Sequence, residues 1–171
     1  MSSTTLIPQD PTSDLKAFRN ALGTFPTGVA IITTRSGDKS VGITVNSFSS
    51  VSLDPAVISW SISTTAPSWS VFQHANYFAV NILACEQDRL STQFARPADD
   101  KFAGVSQRSG VTGAPLLEGC TSAFECSMYQ HIEIGDHFVI YGKVEAYHHA
   151  GHDPLVFHRG AYRSIAPTSD A

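Results

Sequence analysis

No window of this sequence holds an apolar run long enough to span a bilayer, and the opening residues MSSTTLIPQDP supply neither the basic nor the apolar segment of a secretory signal. The chain is therefore expected in the cytoplasm. Charge is scarce, and 11 Lys and Arg against 15 Asp and Glu leave a net charge of −4. Without a broad positive field, nucleic acid and anionic membrane surfaces are poor partners. The three cysteines, Cys85, Cys120 and Cys126, are odd in number and lack a CxxC spacing, which argues against a disulfide framework or a zinc clip. No GxGxxG follows a strand, so a dinucleotide would have to be held by something other than a Rossmann turn. No GxSxG elbow occurs either, which leaves a serine hydrolase without support.

What is present is one domain's worth of chain, 171 residues with 42% hydrophobic content. Residues 1–12 read as a flexible polar leader and 13–171 as a single domain. An amphipathic helix of about three turns is expected from an N-cap at Thr12 or Ser13, with Leu15, Phe18 and Leu22 on one face and Gly23 as its stop. Phe25-Pro26-Thr27-Gly28 forms a turn, and the β-branched run Val29 to Thr34 returns through Ser36–Lys39 into Val41 to Val45. Ala56 to Ser63 alternates as a strand, with Val57, Ser59, Ser61 and Ser63 on one face and Ile58, Trp60 and Ile62 on the other. Short helices are expected from Pro67-Ser68 to Ala75 and from Cys85 to Ala95, with a capped helical turn at Asp99–Gly104. Tyr77 to Leu83 is a strand, and Val105 to Gly119 reads as a loop. Thr121–Glu133 and Asp136–Tyr147 form a long hairpin around an Ile134-Gly135 corner. Six or seven strands joined by local hairpins predict a small antiparallel barrel.

The stretch Val41 to Pro55, VGITVNSFSSVSLDP, carries no ionisable side chain before Asp54 but is crowded with hydroxyls and one amide. Neutral donors and acceptors need partners when removed from water, and they suit a flat, heteroatom-rich ligand. The same run also describes two edge strands joined at Asn46-Ser47. His148-His149-Ala150-Gly151-His152-Asp153 has metal-binding residue types but no second ligand set, and adjacent histidines point apart on extended chain, so no metal is assigned. His137 opens a strand at a rim, where an imidazole can donate a hydrogen bond or a proton. That position equally suits an ordinary surface histidine. Lys101, near Arg96, could hold a phosphate, although an Asp-Asp-Lys run also describes a solvated face.

In chain order, Phe18-Arg19, Phe25-Pro26-Thr27-Gly28-Val29, Gly42 to Pro55, Phe94-Ala95, Asp100-Lys101-Phe102, Gly135-Asp136-His137 and Gly160-Ala161-Tyr162-Arg163 resemble the flavin reductase family. These are flavin-binding split-barrel proteins, and the likeness covers about residues 13 to 165. It implies a mainly β fold, a six-stranded antiparallel split β-barrel of Greek-key type with short flanking helices, usually a homodimer. It implies hydride transfer from NADH or NADPH to FMN or FAD, with reduced flavin passed to a partner monooxygenase. By the same likeness, Thr44, Val45, Asn46, Ser47 and Ser50 line the flavin ring, and Ser61, Ser63 and Thr64 reach its ribityl and phosphate end. Phe94, Lys101 and Phe102 close over it. His137, the catalytic candidate, and Tyr162 fall on the nicotinamide side. The His148–His152 loop is not part of the family pattern. Two alternatives are a flavin-binding electron carrier that does not use nicotinamide directly and a split-barrel flavin oxidase. FMN against FAD and NADH against NADPH stay open.

Overall fold

The computed structural model describes residues 6–166, so the first residues of the expected 1–12 leader and the last of the expected 13–171 domain lie outside it. Its elements in chain order are α1 (Leu15–Leu22), β1 (Thr27–Gly28), β2 (Ala30–Ser36), β3 (Lys39–Val45), β4 (Ser49–Leu53), β5 (Ala56–Ser63), α2 (Trp69–Phe72), β6 (Tyr77–Ile82) and α3 (Asp88–Ala95). They continue with β7 (Gln107–Ser109), β8 (Pro115–Leu117), β9 (Ser122–Ile134), β10 (His137–His149), β11 (Val156–His158) and β12 (Ala161–Arg163). Among the described residues, no helix is long and apolar enough to cross a membrane.

The main sheet is antiparallel throughout and has seven strands in the order β3-β2-β6-β9-β10-β5-β4. Seven is the upper count of the sequence reading and one more than the six strands that the family resemblance implies. β3 and β4 are its two edges, yet only Asn46, Ser47 and Phe48 separate them in the chain. Laid flat at about 4.8 Å per strand, the edges would stand about 29 Å apart, whereas a three-residue link reaches about 14 Å. The sheet therefore curls until its edges approach one another. The edge-strand reading of Val41–Pro55 thus holds, but with the two strands at opposite ends of one sheet rather than paired to each other.

Inside the curl, alternate residues of every strand but β4 meet in one apolar core. Ile32, Trp60, Ile62, Phe78 and Ile140 are fully or almost fully buried there, and Phe72 of α2 plugs the end with its ring against Trp60 at 5.1 Å. This is the expected alternation of β5, with Ile58, Trp60 and Ile62 inward and Ser59, Ser61 and Ser63 on the other face. A second core on the outer face joins Val29, Ile31, Leu83, Phe94 and Leu155. Gly42 makes this contact feasible, because a Cβ there would lie 2.5 Å from the Phe94 ring.

Several local expectations give way to better hydrogen bonding. α1 spans eight residues, just over two turns, because Asp14 is the cap: its Oδ1 accepts from Lys16 N at 2.9 Å and Ala17 N at 3.0 Å. Thr12 and Ser13 instead fold onto Asp10. Thr27–Gly28 is a short strand paired with β11, and not only a turn. The second helix is four residues, and the third begins at Asp88 because Gln87 Oε1 accepts from Ala84 N and holds the preceding residues in a turn. Asp99–Gly104 is a set of turns without a helix, organised by Asp100 Oδ1 accepting from Phe102 N at 2.8 Å. The expected loop Val105–Gly119 contains the β7–β8 hairpin. The long hairpin turns at Gly135-Asp136, one residue later than expected.

Candidate functional site

Two cavities lie along the edge strand β3. The larger, of about 820 Å³, is bounded by Val41, Gly42 and Ile43 of β3, by Ala66–Ser68 ahead of α2, and by the 97–102 segment. The smaller, of about 190 Å³, lies at the other end of the strand and is bounded by Thr44, Val45, Asn46, Ser91, Phe157 and Tyr162. Ala95 borders both. The larger volume falls within the range of small-molecule and cofactor pockets.

All but two of the expected site residues fall into four groups. Thr44, Val45, Asn46 and Tyr162 share the small cavity. Lys101 and Phe102 line the large cleft. Ser47 is joined to β5: its Oγ accepts from Ser61 N at 2.9 Å and donates to Ser61 O at 3.2 Å. Ser63, Thr64 and His137 meet at the strand ends, since His137 and Ser63 are register partners and Thr64 N donates to Asp136 O at 3.0 Å. Ser50 stands apart on β4 and borders neither cavity. Phe94 is fully buried with its ring against Phe102 at 4.9 Å, so it shapes the wall from behind.

His137 is about half exposed, with Nδ1 at 2.7 Å from Asp136 Oδ1. The imidazole hydrogen bond holds the exposed Asp136 carboxyl below its ordinary range, helped by the nearby Arg19 charge. The carboxylate thereby fixes which ring nitrogen is protonated and leaves Nε2 free to face a ligand. Lys101 Nζ donates to Phe94 O at 2.8 Å and to Gly42 O at 3.4 Å, and burial lowers its pKa. Its ammonium is tied to the backbone at the cleft wall, where it contributes charge from a fixed position.

Ser91 is a residue the sequence reading did not single out. It is fully buried, its Oγ accepts from Tyr162 OH at 2.8 Å, and its carbonyl accepts from Thr44 Oγ1 at 2.6 Å. One α3 serine therefore ties the β3 wall to β12. Its place three residues before Phe94, on the inward face of the helix, was the available signal.

The histidine stretch is engaged in hydrogen bonds within the fold. His148 Nε2 donates to Glu125 at 2.8 Å, His149 Nδ1 meets Ser122 Oγ at 3.0 Å, and the His152 carbonyl accepts from Thr121 Oγ1. The rings of His148 and His149 thus turn to separate partners, and among the described residues no group of three or more His, Cys, Asp or Glu gathers as a metal site. Burial makes two of the free thiols poor nucleophiles, with Cys120 pushed up to about 11 and Cys126 to about 12.

The wall from Ser40 to Leu53 contains no charged side chain, and Asn46, Ser47, Ser49 and Ser50 are exposed on it. Exposed amide and hydroxyl groups along this edge, with Asn46 at the smaller cavity, can match the carbonyl and ring-nitrogen pattern of an isoalloxazine, with cations held back at Lys101 and Lys39. The residues present therefore fit a flavin.

Comparison with known proteins gives a consistent assignment. Residues 22–166 match the model of the flavin reductase like domain. The chain is 42% identical over 161 residues to the reductase component of the flavin-dependent trigonelline monooxygenase of Acinetobacter baylyi, covering 94% of this chain and 52% of that one. It is 38% identical over 147 residues to the FMN reductase (NADH) SmoA of Agrobacterium fabrum, covering 86% and 84%. Among solved structures, the NADH:FAD oxidoreductase SgcE6 of Streptomyces globisporus superposes with a TM-score of 0.89 at 31% identity, covering 99% of this chain and 97% of that one. The chain thus spans about half the length of the Acinetobacter protein.

Proposed function

The chain belongs to the flavin reductase family, and from that premise we propose that it reduces FMN or FAD with NADH or NADPH and releases the reduced flavin to a partner monooxygenase. The observation that carries this reading is the uncharged wall of Thr44 to Ser50, continued into β5 by the Ser47–Ser61 hydrogen bonds. Flavin, when bound, supplies the two-electron acceptor, and nicotinamide supplies the hydride. The chain's part is to bind, align and exclude water. Thr44, Asn46 and Ser47 offer hydrogen bonds along the ring edge, while Ser63, Thr64 and Lys101 suit the ribityl and phosphate end. Tyr162, held by Ser91, and His137, held by Asp136, offer a rigid phenol and an imidazole on the nicotinamide side. No nucleophile is needed, because hydride transfer between stacked rings depends on alignment. The uncharged wall also favours release, since no cation there binds the reduced ring more tightly than the oxidised one.

A homodimer is part of this reading. α1 buries none of its residues, and Leu15, Phe18 and Leu22 are exposed on one face of it. A second copy of the chain is the cover we assign to that face. Phe18→Glu with Leu22→Glu is expected to convert the dimer to monomer in sedimentation velocity, and an unchanged sedimentation coefficient would remove α1 from the interface.

Activity is tested by anaerobic mixing of the purified chain with excess FMN or FAD and either nicotinamide. Catalytic loss of flavin absorbance is expected. No bleaching with NADH or NADPH overturns the reading.

A further inference from the structure

We propose that Gln93 is a positioning residue for the large cleft: its side-chain amide fixes the main chain of residues 101–103, and with it the place of Lys101, for the phosphate end of a flavin. The inference rests on the flavin reductase reading of the cleft and goes beyond it in naming the group that sets one wall. Gln93 does not itself border the cleft, so it acts through the segment it holds.

Three observations carry it. The first is that this wall has no ladder of its own. Residues 97–102 form a continuous side of the cleft, yet no helix or strand lies between Ala95 and Gln107. Asp100 Oδ1 shapes the turn locally by accepting from Phe102 N, but that bond does not tie the segment to the rest of the fold. Its place is therefore set by contacts from outside.

The second is the tie itself, which runs in both directions. Gln93 Nε2 donates to Lys101 O at 2.8 Å and to Ala103 O at 3.1 Å, so both N–H groups of its amide go to carbonyls on either side of Phe102. In return, Lys101 Nζ donates to Phe94 O at 2.8 Å, one of the last carbonyls of α3, which have no partner within the helix. A second donation, to Gly42 O at 3.4 Å, attaches the same ammonium to β3. The Phe94 and Phe102 rings fill the space between, with centroids 4.9 Å apart. An ammonium has three donors, and these two bonds leave one for a ligand. A cation already held in place has little side-chain freedom left to lose when a phosphate arrives.

The third is the geometry of α3. Ser91 and Gln93 are two residues apart, about 200° around the helix. Ser91 faces the small cavity through Thr44 and Tyr162, whereas Gln93 reaches the wall of the large one. Loss of the Gln93 amide is therefore expected to loosen one cavity without the other. Thr92 lies between them, and its Oγ1 donates to Asp88 O within the helix, which makes it a control for general weakening of α3.

The test is fluorescence titration of the full chain with FMN and with riboflavin, which lacks the phosphate. Wild type is expected to prefer FMN. Gln93→Glu keeps the side chain's size but replaces its donors with a carboxylate, and Gln93→Ala removes them. Each is expected to weaken FMN binding about tenfold and riboflavin binding about threefold, while Thr92→Ala changes neither. Amide hydrogen exchange should quicken over residues 99–105 in the Gln93 variants and stay at the wild-type rate over α3. A helix that was merely weakened would instead exchange faster along α3 and lose both flavins equally. That result, unchanged FMN affinity in folded variants, or no preference of wild type for FMN overturns the role of Gln93; Gln93→Ala decides the matter if Gln93→Glu does not fold. Failure of wild type to bind either flavin overturns this role together with the flavin reading, whereas binding with unaltered affinity in the variants overturns this role alone.

Discussion

The Glu125 carboxylate and the hydroxyls of residues 44–50 are polar groups carried on strands of the same sheet, but their surroundings differ. Glu125 is fully buried on β9 and completely served: Thr112 donates twice, His148 Nε2 donates once, and Arg108 Nη2 stands 3.4 Å from the other ring nitrogen of His148. Asn46, Ser47, Ser49 and Ser50 are exposed at an edge, and the protein supplies only part of their hydrogen bonding, chiefly through Ser61. The first arrangement fixes a hairpin against the sheet. The second leaves donors and acceptors open to solvent, with Asn46 at the smaller cavity, as a binding wall requires.

The contrast can be broken by substitution. Glu125→Ala leaves Thr112 and His148 facing a void and is expected to cost about 3–5 kcal/mol in denaturant unfolding. A loss below about 1 kcal/mol would show that the network is ornamental. Asn46→Asp should do the reverse, raising the flavin dissociation constant about tenfold or more while stability stays within about 0.5 kcal/mol. Fluorescence titration with FMN and FAD checks it, and unchanged affinity would mean that the wall has been assigned to the wrong ligand.

Smaller effects sharpen the same comparison. His137→Ala should raise the nicotinamide Michaelis constant about fivefold, equivalent to about 1 kcal/mol, with the flavin constant little changed. Equal effects on both would remove His137 from the nicotinamide side. For Glu125, burial pushes the carboxyl up, but the hydrogen bonds from His148 and Thr112 outweigh it and hold the pKa below its ordinary 4.5. The contribution to stability is therefore full above about pH 4.5 and is lost as pH falls through the lower folded value. Urea midpoints should drop over that interval in wild type and more shallowly in Glu125→Gln. Parallel acid limbs would show that another carboxylate governs acid stability.

Much of the architecture was legible from local pattern. The period-two alternation of Ala56–Ser63 marked both faces of β5, and the Tyr77 and Thr121–Tyr147 runs marked the centre of the sheet. Legibility failed where a side chain far away in sequence decided the outcome. β7–β8 did not read as strands because Gly110, Gly113 and Pro115 look like loop punctuation, and only the Glu125, Arg35 and Asn81 anchors make the segment a hairpin. Ser91 had only its spacing from Phe94 as a local signal, and its partners Thr44 and Tyr162 were hidden for the same reason.

The sequence by itself determined the β-rich class, the uncharged character of Val41–Leu53 and the order of motifs that marks the family, since each is a property of neighbouring residues and their period. Only the tertiary structure decided which of those residues share a cavity. Curling the sheet brings β3 near β4, sets Tyr162 on Ser91 beside Thr44, and sends His148 to Glu125. Those contacts span many residues of chain, and their geometry is fixed by strand order and packing, which no local window contains.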